Sequence, residues 1–207
     1  MKTVPFGRIA EDHLGEDQSR LGMSERLTQA LEFATQAHGD QTYGADLSYS
    51  THLVDVVVIL NEFGYTEAAG EVEMLVAAYL HDVVEDTEVT EEQVAERFGV
   101  NVARMVRFCT DEPGHNRKTR KTNTYARCRA DLNKEPWVYL RGSIVKLADR
   151  LANIRNCHAH RPDLLHMYWK EKDTFRQALK VSGVAEPMWA EYDRLLANKP
   201  PKTPRHK

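Results

Sequence analysis

The segment Ala77-Ala78-Tyr79-Leu80-His81-Asp82-Val83-Val84-Glu85-Asp86-Thr87-Glu88-Val89-Thr90 places one imidazole and three carboxylates within six residues, directly after an apolar run. Residues three and four apart on a helix share a face, so His81, Asp82, Glu85 and Asp86 can point into one cleft. An ordinary core helix would not tolerate that many acids, because a buried carboxylate costs several kcal/mol unless it is paired or bound to a cation. The pattern therefore reads as a metal-ligand pair, His81 and Asp82, with a spare carboxylate pair, Glu85 and Asp86, beside it. The competing reading is a solvated acidic helix end.

A second stretch favours the metal. In Ile144-Val145-Lys146-Leu147-Ala148-Asp149-Arg150-Leu151-Ala152-Asn153-Ile154-Arg155-Asn156 a lone aspartate again sits inside an apolar helical pattern. Two acid sites of this kind in one chain suggest a shared ion. At i and i+4, Asp149 and Asn153 share one face of the helix expected over 143–156, and Lys146 and Arg150 share an adjacent one. Arg150 is expected to pair with a neighbouring acid and brace the site.

The two stretches, His81-Asp82-Val83-Val84-Glu85-Asp86-Thr87 and Lys146-Leu147-Ala148-Asp149-Arg150-Leu151-Ala152-Asn153-Ile154-Arg155, resemble the hydrolase domain of the RelA/SpoT family of HD-domain phosphohydrolases. The likeness runs from about Leu27 to about Leu179 and is greatest to stand-alone small alarmone hydrolases of the metazoan SpoT-homologue kind. It implies that His52 is the first metal ligand, completing a set of His52, His81, Asp82 and Asp149, and that the ion is Mn²⁺. Imidazole and carboxylate ligands by themselves suit Mn²⁺, Fe²⁺ or Zn²⁺. Glu85 and Asp86, just outside the set, are placed to orient or deprotonate a water.

The loop His38-Gly39-Asp40-Gln41-Thr42-Tyr43-Gly44-Ala45-Asp46-Leu47-Ser48-Tyr49-Ser50-Thr51-His52 delivers His52 to a helix over 52–63. In the resembled hydrolases this loop holds a purine base, and an Arg-Lys pair stands where this chain has Tyr43-Gly44. An aromatic ring stacks on a base as a guanidinium does, so Tyr43 is a candidate platform. The Tyr-Ile-x-His-Pro ending of the family becomes Tyr49-Ser50-Thr51-His52-Leu53 here.

Between His115 and Arg129 there are six lysines or arginines and no acid, on a chain of formal net charge −3. Lys118, Arg120 and Lys121 are therefore candidates for a local anion clamp suited to a diphosphate, and the resemblance also assigns this segment to substrate phosphates. Asn153 is a candidate for the ribose or phosphate of a nucleotide. His158, His160 and His166 match no acid pattern and read as surface residues.

With 207 residues and 42% apolar content, one domain is expected over 23–197, flanked by an N-terminal extension, 1–22, and a basic proline-rich disordered tail, 198–207. Helices are expected from Ser24 as N-cap, from Thr66-Glu67 into His81, from the Thr90-Glu91-Glu92-Gln93 capping box to Phe98-Gly99, through Val102 to Cys109, from Pro162 and from Pro187. No strand run is evident, so the fold class is all-α, an HD-domain helical bundle with the metal between helices. The acidic balance argues against nucleic acid as a partner. No run approaches the ~18 apolar residues of a membrane helix, and three widely spaced cysteines, Cys109, Cys128 and Cys157, suit a reducing cytoplasm.

By resemblance the reaction is removal of 3′-pyrophosphate from a guanosine tetra- or pentaphosphate alarmone, (p)ppGpp, the nucleotide of the stringent response, giving GDP or GTP. With Tyr43-Gly44 in place of the Arg-Lys pair, an adenosine alarmone is a rival, as is removal of phosphate from NADPH or another nucleotide by an HD-superfamily phosphohydrolase. A catalytically silent nucleotide-binding sensor is the alternative of another class. The expected partner is a small purine nucleotide. A homo-oligomer, and an alarmone synthetase toxin as functional counterpart, are compatible with the resemblance.

Overall fold

A computed structural model describes residues 24–44, 47–134 and 136–200; the expected N-terminal extension and most of the expected tail lie outside them. The described chain is helical: α1 (Glu25–His38), α2 (Ser50–Glu62), α3 (Val72–Leu80), α4 (Val83–Asp86), α5 (Glu91–Phe98), α6 (Val100–Cys109), α7 (Arg117–Lys134), α8 (Pro136–Ala159), α9 (Pro162–Leu179) and α10 (Glu186–Leu195).

Local signals set several boundaries. Ser24 accepts the Leu27 amide and starts α1, while Thr90 and Gln93 form a reciprocal capping box at α5. Pro162 opens α9, where its missing N–H costs nothing. Two expected starts move. Thr66 caps only a turn, accepting the Ala69 amide, because Gly70 takes φ 82° and breaks the chain's direction before α3 begins at Val72. The helix expected over 143–156 begins at Pro136 instead and runs as α8 through the polar-apolar mixture ahead of the motif. The loop after α1 also holds a feature that its composition hid: Thr42–Tyr43 (β1) pairs antiparallel with Leu47–Ser48 (β2), with Tyr43 opposite Leu47.

α8 is the hub of the bundle, touching α2, α3, α6, α7, α9 and α10. Its middle is buried on nearly every side, Lys146 and Arg150 included. Gly142 lets α6 come close: a Cβ there would lie 3.0 Å from that of Phe108. α2 is likewise enclosed, with Leu53, Val56, Ile59 and Leu60 free of solvent, each contributing roughly 1.5–3 kcal/mol by burial. Because α2 and α8 pack on each other and on α3, the residues they carry at His52, His81 and Asp149 meet in the interior.

Candidate active site

The histidine-aspartate pair sits where α3 ends, as expected of a helix running into His81, while Glu85 and Asp86 follow on a separate turn instead of the same helix. His81 caps α3, and Asp82, with φ −105° and ψ −5°, starts the separate turn α4, its carbonyl accepting the amides of Glu85 (3.1 Å) and Asp86 (2.9 Å). Adjacent residues of a regular helix diverge by about 100°. Here, nevertheless, the two side chains meet, His81 Nε2 lying 2.9 Å from Asp82 Oδ2.

His52 from α2 and Asp149 from α8 close the set. His52 Nε2 is 3.2 Å from His81 Nε2, 3.3 Å from Asp149 Oδ1 and 3.6 Å from Asp82 Oδ2, and His81 Nε2 is 3.8 Å from Asp149 Oδ1. His81 Nδ1 faces the carbonyl of Ala78 at 2.8 Å. A carbonyl accepts only, so Nδ1 carries a proton and Nε2 is left to act as a ligand. Two imidazole nitrogens facing each other beside two carboxylates call for a cation. Burial pushes His52 down, but Asp149 and Asp82 outweigh it and raise it to about 10; His81 also rises, Asp82 overcoming burial. Ligand atoms of His52, His81 and Asp149 lie within 4.8 Å of one another, and with Asp82 against both imidazoles the donor set fits a divalent ion.

Glu85 and Asp86 stand at the rim. Glu85 Oε2 accepts the amide of Asp111 at 2.8 Å, and Arg120 Nη1 is 3.9 Å from its other oxygen. Burial, then the charge of Asp111, raises Glu85 above its usual range. Asp86 is raised by burial and by Asp82. Tyr49, left without a role by the sequence, links ligand and rim: its hydroxyl donates to Asp82 Oδ2 at 2.6 Å and lies 3.2 Å from Asp86 Oδ2. Behind it, the buried His38 stacks on its ring at 4.3 Å.

The expected substrate groups take divergent positions. Tyr43 stacks on His52, with ring centroids 4.6 Å apart and planes at 27°, and its hydroxyl donates to Asn153 Oδ1 at 3.2 Å. The Asn153 amide in turn donates to the Asp149 side chain and, at 3.1 Å, to the Asp149 carbonyl. Lys121 is committed to Asp111 at 2.7 Å, and Arg120 leans toward Glu85. Lys118 lines a cleft of about 1400 Å³ between α7 and α9, shared with Arg117, Lys121, Arg129, His166 and Lys170. His166, expected on the surface with His158 and His160, is half-buried there because its face of α9 packs toward α7. Arg150 pairs with Glu171 at 3.0 Å, as expected, and also reaches the Tyr125 hydroxyl.

Long-range pairing explains what the sequence missed. Asp111, its side chain 3% exposed, lies between Lys121 and Lys146, and Lys146 also donates to the Cys109 carbonyl. Asp55, one turn after His52, is buried, which pushes its carboxyl up to about 7 against the pull of His52 and Arg155. The Tyr168 ring lies 4.9 Å from the Arg150 guanidinium. No local motif marks any of these three.

The bundle thus brings two histidines and two aspartates together between α2, α3 and α8. The chain belongs to the HD domain family, whose model matches residues 30–175. It is 31% identical over 163 residues to the guanosine-3′,5′-bis(diphosphate) 3′-pyrophosphohydrolase of Aquifex aeolicus, covering 76% of this chain and 22% of that protein. The enzyme of the same description from Danio rerio, MESH1, is 32% identical over 139 residues, covering 66% of this chain and 72% of that one. The chain thus spans less than a quarter of the long bacterial relative but most of the short metazoan one. A solved structure of a metazoan ortholog of SpoT, described as hydrolyzing ppGpp with a role in starvation responses, matches at 26% identity with a TM-score of 0.68, covering 84% of this chain and 95% of that chain. Among the described residues no helix is long and apolar enough to cross a membrane.

Proposed function

We propose that the chain is a divalent-metal-dependent hydrolase that removes the 3′-pyrophosphate of a purine nucleotide alarmone, (p)ppGpp to GDP or GTP, with His52, His81, Asp82 and Asp149 holding the ion, Mn²⁺ by family resemblance. The reading rests above all on the convergence of those four side chains beside Glu85 and Asp86, on a scaffold shared with hydrolases of that description. When bound, the ion supplies Lewis acidity that polarises a phosphoryl oxygen and acidifies water.

The chain's own residues carry the remaining steps. Glu85, raised by burial and aimed by the Asp111 amide, takes the proton of the attacking water. Asp86, tied to Asp82 through the Tyr49 hydroxyl, orients that water. The water oxygen bonds to the 3′ phosphorus as the bond to the ribose 3′ oxygen breaks; that oxygen takes up the proton Glu85 drew from the water and becomes the free 3′ hydroxyl, and pyrophosphate leaves. Lys118 of the α7–α9 cleft offsets charge on the nucleotide's phosphates. The domain over 23–197 is the working unit, and its buried cysteines, all free, suit the cytoplasm.

Tyr43-Gly44 leaves the base to be decided by assay. With Mn²⁺ added, ppGpp, ppApp and NADPH are compared in parallel, with Asp149→Ala as control. Pyrophosphate release from ppGpp or ppApp, lost in the control, is the expected result. Phosphate from NADPH alone would move the protein to cofactor dephosphorylation, and silence on all three with the ion bound would sink the alarmone reading and leave another phosphoester or a sensor.

A further inference from the structure

His52 and His81 are held in different ways. A metal-ligating histidine usually has its second ring nitrogen fixed by a hydrogen bond, which sets the ring's orientation and tautomer. His81 has this, from Nδ1 to the Ala78 carbonyl. His52 does not: its Nδ1 is buried and has no hydrogen-bond partner. What holds the His52 ring is aromatic packing, with Tyr43 stacked on its face at 4.6 Å and Tyr49 edge-on at 5.7 Å.

The same tyrosine governs a second ligand. A phenol facing an amide oxygen donates to it, so the Tyr43 bond to Asn153 Oδ1 fixes which end of that amide points where. The NH₂ end is thereby turned to Asp149, where it meets both the carboxylate and the main-chain carbonyl. The β1–β2 pairing of Tyr43 with Leu47 anchors the backbone from which the side chain reaches.

We propose that Tyr43 is a positioning residue of the metal centre: its ring orients His52, and its hydroxyl, through Asn153, orients the carboxylate of Asp149. The proposal rests on the assignment of His52 and Asp149 as metal ligands. It differs from a base-stacking role in that it requires no nucleotide. The ring face on His52 and the hydroxyl on Asn153 are both already engaged.

The test is Mn²⁺ binding without nucleotide, measured on the metal-stripped full chain by the electron paramagnetic resonance signal of free Mn²⁺. The proteins are wild type, Tyr43→Phe, Tyr43→Ala, Asn153→Ala, the double variant Tyr43→Phe/Asn153→Ala and Asp149→Ala, each checked for its fold by circular dichroism. Loss of an outer-shell partner typically weakens metal affinity about 10–100-fold. Tyr43→Ala is expected to fall in that range and Tyr43→Phe to lose less. Tyr43→Phe should add nothing on the Asn153→Ala background, because the hydroxyl acts through that amide. Wild-type affinity in both Tyr43 variants overturns the proposal, and additive losses in the double variant overturn the Asn153 relay. If Asp149→Ala binds Mn²⁺ as wild type does, the ligand assignment itself fails, which is a different result from failure of Tyr43 alone.

Discussion

Glu85 reaches the site with its side chain a quarter exposed and with the Asp111 amide as its fixed donor, which is the arrangement expected of a base that must both receive a proton and hold still. Glu85→Gln keeps the shape and removes the basicity. It should lower kcat by about 10²–10⁴ and leave Mn²⁺ binding intact, whereas Asp82→Ala should lose the ion; steady-state rates and metal content of the two purified variants separate the roles. Asp111 gives a pH prediction. Burial pushes its carboxyl up, but Lys146 and Lys121 outweigh burial and hold it below its usual value. A depressed folded pKa stabilises the protein above the unfolded value, about 3.9, and that contribution is lost as pH falls through the lower folded value. In urea unfolding, wild type should exceed Asp111→Asn in stability near neutrality, with the gap closing under acid; a gap independent of pH would contradict the pairing. At this scale the residues that converge were legible, His81, Asp82 and Asp149 because acids stand inside apolar helical patterns and His52 through the family resemblance. Asp111 and Tyr49 were not, since what makes Asp111 matter is two lysines from other parts of the chain, and what makes Tyr49 matter is the placement of Asp82 and Asp86.

Helix periodicity explains both how much of the element scale could be read and where reading failed. α1, α5 and α9 follow their caps, and the apolar spacing of α6 is the packing face it uses against α8. The break between α3 and α4 escaped, because His81, Asp82, Glu85 and Asp86 satisfy helical spacing whether or not the helix is continuous, and only the Asp82 backbone distinguishes the cases. The start of α8 escaped because Trp137 and Arg141 look like surface residues and are used that way: Trp137 is 56% exposed and carries the Arg141 guanidinium at 4.3 Å over its ring. Within α8 a close approach falls at Gly142. Alanine there gains helix propensity but drives a Cβ against Phe108 at 3.0 Å. Gly142→Ala should therefore cost about 1–3 kcal/mol by overpacking, read as a lower urea midpoint with unchanged slope; a rise in midpoint would show that α6 yields at no cost.

The whole molecule is arranged so that α2, α3 and α8, which share one core, each deliver part of one charged site. Ion binding and folding should then be linked. At Mn²⁺ a hundredfold above Kd the folded state should gain about 2.7 kcal/mol, visible as a rise in Tm that a chelator reverses and that Asp149→Ala lacks. The fold class was legible at this scale because two motifs and an absence of strand patterning agreed; the α7–α9 cleft was not, since it exists only where two distant helices meet. The most direct test of the account is hydrolysis of ppGpp in ¹⁸O-labelled water with Mn²⁺. It predicts one labelled oxygen in the released pyrophosphate, none in GDP, and no release by Asp149→Ala. Label in GDP, or undiminished release by Asp149→Ala, would contradict attack at the 3′ phosphorus in the site built by His52, His81, Asp82 and Asp149.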